Sequence, residues 1–232
     1  MKPFPRIEPC SDRSLLVVFD QEISIAAHRS VLRLTRLLLE RRDPFIVNLH
    51  PGYSSVLVSF DPAGIACSDL THLLETCLGS LAEIALPKAR TVLVPVCYEG
   101  DLAPDLADIA ALHGLEPAEV VRIHCAGEYR VHFLGFSPGF PYMGGLSERI
   151  ATPRLATPRT RVPAGSVAIA GLQTGIYPMS SPGGWRILGR TPLRLFRPEA
   201  SPPVGIEMGD IVRFRRIARD EFDRLLAGES AH

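Results

Sequence analysis

Arginine is the residue type that most strongly suggests chemistry in this sequence. Eight arginines lie between Arg149 and Pro198, and the same stretch contains no Asp, Glu, Lys or His. They are Arg149, Arg154, Arg159, Arg161, Arg186, Arg190, Arg194 and Arg197. Because a guanidinium donates parallel hydrogen bonds to the two oxygens of a carboxylate or phosphate, the stretch is predicted to bind a small anion. In the alternative interpretation these arginines pair with acids elsewhere, since 25 basic and 25 acidic side chains cancel over the whole chain.

A short duplication lies within this stretch. Ala151-Thr-Pro-Arg154-Leu is followed at once by Ala156-Thr-Pro-Arg159-Thr. Each proline favours extended backbone, so Arg154 and Arg159 are expected to project from similar backbone geometries. The pattern is compatible with a loop that grips a ligand and also with a stiff surface connection.

Turns rich in glycine and proline carry further polar groups. They hold the amide of Gln173, the phenol of Tyr177 and the indole of Trp185. Glycines in such turns allow the backbone to approach a ligand closely. Large aromatic residues in these loops either cap a core or contact a substrate, and both interpretations remain open.

A polar pattern also runs along one predicted strand. Glu128, Arg130 and His132 alternate in the sequence, which places them on the same strand face. Such a face lines a pocket, meets another protein or is solvated.

Three familiar catalytic patterns are incomplete or absent. Gly135-Phe-Ser-Pro-Gly139 matches the G-x-S-x-G string of hydrolases. However, Pro138 has no N–H for an oxyanion hole, and the residues after it cannot open a helix, so Ser137 is not expected to be a nucleophile. The seven histidines show no metal-ligand spacing, and no metal site is predicted. The chain also lacks a P-loop string.

Composition excludes some partner classes. With a net charge of zero and no lysines or exposed aromatics interleaved with the arginines, nucleic acid is not expected. No stretch reaches the roughly 20 apolar residues that cross a bilayer, so no membrane association is expected. Five cysteines without a CxxC pair, and a start without an apolar leader, predict reduced thiols and a cytoplasmic location.

Periodicity predicts two domains, residues 1–87 and 88–232. The first is expected to be a small α+β domain in the order strand, helix, strand, strand, helix. Its elements are Ser14–Phe19, Ile23–Glu40, Phe45–Leu49, Val56–Phe60 and a helix from an N-cap at Ser68 to Leu78. The second domain is expected to begin with one strand and two helices. These are Thr91–Tyr98, Pro104–His113 and Pro117–Ala126.

The rest of the second domain is predicted to be mainly β. Between Gly135 and Pro198 there are nine prolines and ten glycines, which interrupt helices and favour short strands joined by tight turns. We therefore expect a β-barrel or sandwich, followed by a last strand at 211–215 and a short helix at 220–232.

Five strings in order, spread over much of the chain, resemble the allophanate hydrolase subunit 1 family. Members of that family include the B subunit of prokaryotic 5-oxoprolinase and the Kip-type inhibitors of a sensor histidine kinase. The strings are Glu128-Tyr-Arg-Val, Gly135-Phe-Ser-Pro-Gly-Phe-Pro-Tyr142, Thr157-Pro-Arg-Thr-Arg-Val-Pro-Ala-Gly-Ser-Val167, Gln173-Thr-Gly-Ile-Tyr-Pro178 and Ser181-Pro-Gly-Gly-Trp with Gly189-Arg-Thr-Pro192.

The resemblance implies a fold, partners and a reaction. The expected fold is an α+β N-terminal domain plus a mainly-β cyclophilin-like barrel. The expected partners are a homologous barrel subunit, of the C type or second-subunit type, and a lactam-utilisation subunit of the A type. The complex would open 5-oxo-L-proline to L-glutamate with ATP as co-substrate, and this chain would be inactive alone. A Kip-type kinase inhibitor and a subunit of an allophanate or urea amide hydrolase are the alternatives.

Residue chemistry within the matching strings assigns the expected site. The expected catalytic residues are Glu128, Arg190 and Gln173. The expected substrate-binding residues are Arg154, Arg161, Thr191, Tyr142 and Tyr177. The arginines would contact carboxylate or phosphoryl oxygens, Gln173 and Thr191 would hydrogen-bond the lactam amide, and the tyrosines would shape the pocket. Glu128 would orient an arginine or act as base.

Overall fold

A computed structural model describes residues 4–229 of the chain. The chain divides into two compact units, residues 1–88 and 89–232. None of the helices within the described range combines the length and the apolar character that a bilayer crossing requires.

The first unit contains a four-stranded antiparallel sheet with two helices. Its elements are β1 (Arg6–Ser11), β2 (Ser14–Val18), α1 (Ile25–Arg41), β3 (Ile46–Pro51), β4 (Ser55–Phe60) and α2 (Cys67–Gly79). The strand order is β1-β2-β4-β3. Alternating residues Val56, Val58 and Phe60 of β4 are buried, and α1 buries Val31 and Leu34. The predicted pairing of the two strands around residues 51–54 is confirmed.

Three features of this unit differ from the prediction. The strand β1 was not predicted, because its sequence is polar, contains Pro9 and lies at the sheet edge. The helix α2 begins one residue before Ser68, and its N-cap is Ala66 without a side-chain hydrogen bond, so Ser68 as N-cap is wrong. The helix α1 begins at Ile25 and not at the predicted Ile23, because its N-cap is Ser24, whose Oγ accepts from the Ala27 N–H at 3.1 Å.

The second unit is built around a closed barrel of seven strands. Its first elements are β5 (Thr91–Cys97), α3 (Leu106–His113), α4 (Pro117–Ala126), β6 (Tyr129–Leu134), β7 (Pro141–Gly144) and β8 (Arg159–Val162). The remaining elements are β9 (Ser166–Ala170), β10 (Gln173–Ile176), β11 (Ser181–Gly183), β12 (Arg186–Arg190), β13 (Ile211–Ile217) and α5 (Arg219–Glu229). Residues 230–232 of the predicted last helix lie outside the described residues. The barrel order is β10-β7-β6-β13-β5-β12-β9, and β8 and β11 form a separate two-stranded sheet.

The barrel interior is the apolar core of this unit. All seven strands contribute to one buried cluster, which only their interior faces can form. The contributors include Val94, Val131, Met143, Ile169, Ile176, Leu188 and Val212. Helices α3 and α4 add Ile109 and Val120 to the same core. The predicted barrel is thus confirmed, and its closure depends on the parallel pairing of β5 with β13.

Candidate functional site

A second apolar cluster covers part of the outer barrel surface. Along β9, Val167 and Ile169 face the interior core, whereas Ala168 and Ala170 belong to this second cluster. We call its aromatic members the aromatic cluster; they are Phe133, Phe140, Tyr142, Tyr177 and Trp185. Phe140 meets Trp185 edge-on with ring centroids 5.5 Å apart, and Phe133 stacks on Tyr142 at 4.6 Å. The cluster therefore joins the two predicted tyrosines to the single tryptophan.

Glycines at two positions make room for these rings. A Cβ on Gly175 would lie 2.7 Å from the Phe140 ring, and a Cβ on Gly183 would overlap the Tyr177 hydroxyl. Real side chains do not approach so closely, so ring packing requires glycine at both positions. The two glycines lie in strands β10 and β11 and not in the turns that the sequence suggested. The close contacts with Gly175 and Gly183 thus fix the positions of the Phe140 and Tyr177 rings.

Arg154 lies over this cluster. Its guanidinium carbon is 5.9 Å from the centre of the Trp185 ring, while the Arg154 side chain is exposed. Burial raises the pKa of both Tyr142 and Tyr177, and the charge of Arg154 acts against that rise. At neutral pH both phenols are therefore protonated and able to donate hydrogen bonds.

Gln173 lies on the same outer face as the aromatic cluster. It is the first residue of β10 and pairs with Ala170 on one side and Gly144 on the other. Thr174 is buried and its Oγ1 lies 3.3 Å from Nε2 of the buried His124, so it faces the interior. Because side chains alternate along a strand, Gln173 faces outward with Gly175. The structure thus brings Gln173, Tyr142, Tyr177 and Arg154 to one face of the barrel.

The structure interrupts the polar strand face that was predicted from Glu128, Arg130 and His132. Glu128 precedes β6 and makes an exposed ion pair with Arg213. A register shift between Val131 and Phe133 interrupts the alternation of the strand. His132 is buried, and a Cβ on Gly144 would lie 2.5 Å from its Nε2, so its ring packs over β7. Glu128 and His132 therefore do not share one polar surface.

Arg190 and Thr191 lie at the far end of β12 from Trp185. The Arg190 Nε donates to the Ala164 carbonyl at 2.7 Å, and burial lowers the pKa of Arg190. Thr191 is buried, and its N–H donates to the Gly165 carbonyl at 2.9 Å. Both residues hold the turn around Ala164 and Gly165.

Arg161 is exposed on the separate two-stranded sheet. Its Nε donates to Ser180 Oγ at 3.2 Å. This bond ties Arg161 to the turn that precedes β11, whereas Arg190 is tied to the turn at Ala164 and Gly165. Arg161 and Arg190, which were both expected to contact carboxylate or phosphoryl oxygens, are therefore held by different turns.

Several arginines of the acid-free stretch pair with carboxylates from outside it. The pairs are Arg149 with Glu119 at 3.1 Å, Arg159 with Asp105 at 2.6 Å and Arg194 with Glu199 at 3.1 Å. The alternative interpretation of these arginines therefore holds for at least three of the eight. Arg154 and Arg159 differ in their surroundings, since the Arg154 side chain is exposed whereas Arg159 is bonded to the buried carboxylate of Asp105.

The G-x-S-x-G string forms the loop between β6 and β7. A hydrogen bond from the Phe140 N–H to the Ser137 carbonyl at 3.0 Å closes this turn, and a strand follows it. Phe136 has a φ of 65°, is 63% exposed and lies 5.7 Å from the Phe140 ring. Sequence reasoning missed Phe136, although an aromatic residue between two glycines in a site loop was a usable signal.

The described residues include no group of three or more His, Cys, Asp or Glu side chains placed to hold a metal ion. The outer face carries the hydrogen-bonding groups of Gln173, Tyr142 and Tyr177, the exposed guanidinium of Arg154 and aromatic walls. Groups of these types suit a small planar or anionic solute.

The chain belongs to the family of the carboxyltransferase domain, subdomain C and D, whose model matches residues 5–206. The family resemblance inferred from the five strings is confirmed. The chain is 41% identical to the 5-oxoprolinase B subunit of Bacillus subtilis (strain 168) over 227 residues, which cover 94% of this chain and 95% of that protein. It is 40% identical to the 5-oxoprolinase B subunit of Escherichia coli O157:H7, over 88% of this chain and 92% of the relative.

Solved structures share this fold. The conserved uncharacterized protein PH0987 from Pyrococcus horikoshii is 44% identical over 94% of this chain and 100% of its own, with a TM-score of 0.56. The structure of TTHA0988 is 36% identical with a TM-score of 0.78, and the match covers 88% of this chain but 40% of the length of TTHA0988. The Kluyveromyces lactis urea amidolyase, at 22% identity and a TM-score of 0.75, shares the fold over 15% of its length.

Proposed function

We propose that this chain is the B-type subunit of an ATP-dependent, multi-component 5-oxoprolinase that converts 5-oxo-L-proline to L-glutamate. The observation that carries the proposal is the identity of 38–41% to three curated 5-oxoprolinase B subunits, which extends over at least 92% of each relative. The outer face of the barrel adds groups that suit a small anionic lactam.

The proposed site consists of the four predicted residues that the fold brings together. Arg154 binds the substrate carboxylate, and Gln173 exchanges hydrogen bonds with the lactam amide. The protonated phenols of Tyr142 and Tyr177 border the ring and donate to oxygens on which negative charge develops. Preorganised donors of this kind stabilise a transition state by several kcal/mol, on the order of 3–4 for a single well-placed donor.

The other predicted residues take supporting roles in this proposal. Arg190 and Thr191 hold the Ala164–Gly165 turn through backbone acceptors. Glu128 forms an ion pair with Arg213 on the protein surface, and we therefore assign it no role as a general base. Arg161 stays an outer contact for an anionic group because its guanidinium is exposed.

ATP use and completion of the site are assigned to the whole complex. A lactam is a resonance-stabilised amide, and phosphoryl transfer from ATP to its oxygen, with release of ADP, activates the ring carbon. Attack of water on that carbon then breaks the C–N bond to give an acyl phosphate, and a second water releases phosphate and L-glutamate. The partners would be a homologous barrel subunit of the C type and a lactam-utilisation subunit of the A type. TTHA0988 supports a second component, since more than half of that chain extends beyond the part that matches this one.

We also propose a cyclophilin-like classification of the barrel and a cytoplasmic location.

Reconstitution tests the proposal. The chain, purified with its C-type and A-type companions, should release glutamate from 5-oxo-L-proline only when ATP is present, and omission of this chain should abolish release. A wild-type complex that shows no ATP-dependent glutamate release contradicts the proposal. If the isolated chain instead suppresses autophosphorylation of a sensor histidine kinase, the Kip-type alternative is favoured.

A further inference from the structure

Arg159 is held by a carboxylate that is itself fixed to the barrel. Its Nη2 donates to Asp105 Oδ1 at 2.6 Å, and the Asp105 side chain is 4% exposed. The other oxygen, Oδ2, accepts from the Ile187 N–H at 2.6 Å, and the Asp105 N–H donates back to the Ile187 carbonyl at 3.2 Å. Because Ile187 belongs to β12, the guanidinium is tied to the barrel wall through two short bonds.

The position of Arg159 places it beside the aromatic cluster. In the β8–β11 pair, Arg159 lies opposite Gly183, and paired residues of antiparallel strands project to the same side. That side of Gly183 is occupied by the Tyr177 hydroxyl, which would overlap a Cβ placed there. Burial raises the pKa of Tyr177, and the charges of both Arg154 and Arg159 act against the rise. The two guanidinium groups therefore act on the same phenol.

One end of this guanidinium has no protein acceptor. Arg159 Nη1 is shielded from solvent and makes no hydrogen bond with any described residue, although the side chain as a whole is 29% exposed. Buried donors in proteins are nearly always bonded, and an unsatisfied one costs about 1–3 kcal/mol. Asp105 bonds Nη2 of Arg159 and the Ile187 N–H, and neither of its oxygens accepts from Nη1. An anionic ligand that enters at the exposed edge would supply it.

We propose that Arg159, together with Arg154, binds the carboxylate of the substrate, and that Asp105 is the positioning residue that aims the Arg159 guanidinium. This inference rests on the proposed function and adds to it a specificity determinant for anionic lactams over neutral ones. One oxygen of Asp105 accepts from the Arg159 guanidinium, and the other accepts from the Ile187 N–H. The orientation of the guanidinium donors is therefore fixed before the ligand binds.

The test compares two lactams in the reconstituted three-component complex. 5-Oxo-L-proline carries the carboxylate, and 2-pyrrolidinone has the same ring without it. In Arg159→Gln, kcat/KM for 5-oxo-L-proline should fall at least about tenfold, mainly through KM, as expected for loss of a charged hydrogen bond. Ring opening of 2-pyrrolidinone, measured at high concentration as release of 4-aminobutyrate, should change less than about twofold.

Two further variants separate positioning from folding. Arg159→Lys keeps the charge without the fork and should recover only part of the loss. Asp105→Asn retains an oxygen that accepts from the Ile187 N–H but removes the ion pair, so KM for 5-oxo-L-proline should rise while turnover of 2-pyrrolidinone stays unchanged. Arg149→Gln, which breaks the exposed pair with Glu119, is the matched control and should behave as wild type.

The outcomes distinguish the two proposals. A wild-type complex that does not open 5-oxo-L-proline overturns the proposed function. An active wild-type complex whose preference for 5-oxo-L-proline over 2-pyrrolidinone is the same in Arg159→Gln overturns this inference alone. Equal losses on both lactams in Arg159→Gln and Asp105→Asn would show a structural role and would also contradict it.

Discussion

The guanidinium carbon of Arg154 lies 5.9 Å from the centre of the Trp185 ring, and Trp185 is 5% exposed. An exposed cation thus lies over an indole that is packed against the barrel wall. A cation–π contact at an exposed site contributes only about 0.5–1 kcal/mol, so the contact orients Arg154 more than it stabilises the fold.

We expect Arg154→Gln to reduce activity while leaving the protein folded. In the reconstituted complex, kcat/KM for 5-oxo-L-proline should fall about tenfold because one charged donor to the carboxylate is lost. The free energy of unfolding should change by less than about 1 kcal/mol. Steady-state kinetics and urea denaturation measure the two quantities. Arg194→Gln, which breaks the exposed pair with Glu199, is the control, and equal kinetic losses in both variants would contradict the assignment.

Gly183→Ala should damage the site through packing. The new methyl group would overlap the Tyr177 hydroxyl, which must then shift. Overpacking of this kind costs about 1–3 kcal/mol, so the midpoint of urea denaturation should fall measurably. Gly205→Ala is the matched control, because nothing lies within 4 Å of a Cβ there. If both substitutions have the same effect, the close approach of Tyr177 to Gly183 is not the cause.

Local patterns predicted most elements but not the long-range pairing of the barrel. The strand at Thr91–Cys97 follows from its run of β-branched residues, and Gly114 marks the end of α3 in a left-handed conformation. The parallel register of β5 with β13 joins residues about 120 positions apart, such as Thr91 and Ile211, and no local pattern encodes that pairing. The edge strand β1 could not be predicted either, because it is polar and buries too little apolar surface to show an alternating hydrophobic pattern.

The sequence indicated which residue types the candidate site contains, but it did not indicate which of those residues lie together. Tyr142, Tyr177 and Gln173 converge because strand alternation turns them to one face, which the sequence alone does not reveal for strands of three to five residues. Arg190 is the last residue of β12 and therefore lies at the opposite end of that strand from Trp185. The pairing of Arg159 with Asp105 spans 54 residues and required the fold.

Thiol reactivity should divide the five cysteines into two classes. Cys10 and Cys67 are exposed, whereas Cys77 and Cys97 are buried. Burial raises the pKa of Cys77, Cys97 and Cys125, which lowers their thiolate fraction at neutral pH. A disulfide reagent such as Ellman's reagent should therefore label two thiols rapidly in the native chain and all five after denaturation.

The double variant Cys10→Ser with Cys67→Ser checks this assignment. It should lose the rapid phase completely and keep three thiols that react in denaturant. A rapid phase that persists in the double variant would mean that one of the other three cysteines is accessible in solution.

His124 should make stability depend on pH in a defined window. Its ring stacks on Phe214 at 4.4 Å inside the barrel core, and burial lowers its pKa from 6.5 to about 3. Between these two values the unfolded chain binds a proton that the folded chain does not. The free energy of unfolding must therefore fall as pH drops through this range, by up to about 1.4 kcal/mol per pH unit.

Urea denaturation between roughly pH 6.5 and pH 5 isolates this effect. Hydrogen bonding to Arg122 lowers the pKa of the exposed Glu119 from 4.5 to about 2, so that carboxylate contributes a pH dependence only below this window. His124→Gln should be less stable than wild type at pH 7, because it loses the stacking on Phe214, but its stability should depend less steeply on pH. Since the other histidines are present in both proteins, parallel pH dependences would show that the imidazole of His124 is not the group kept neutral by the barrel core.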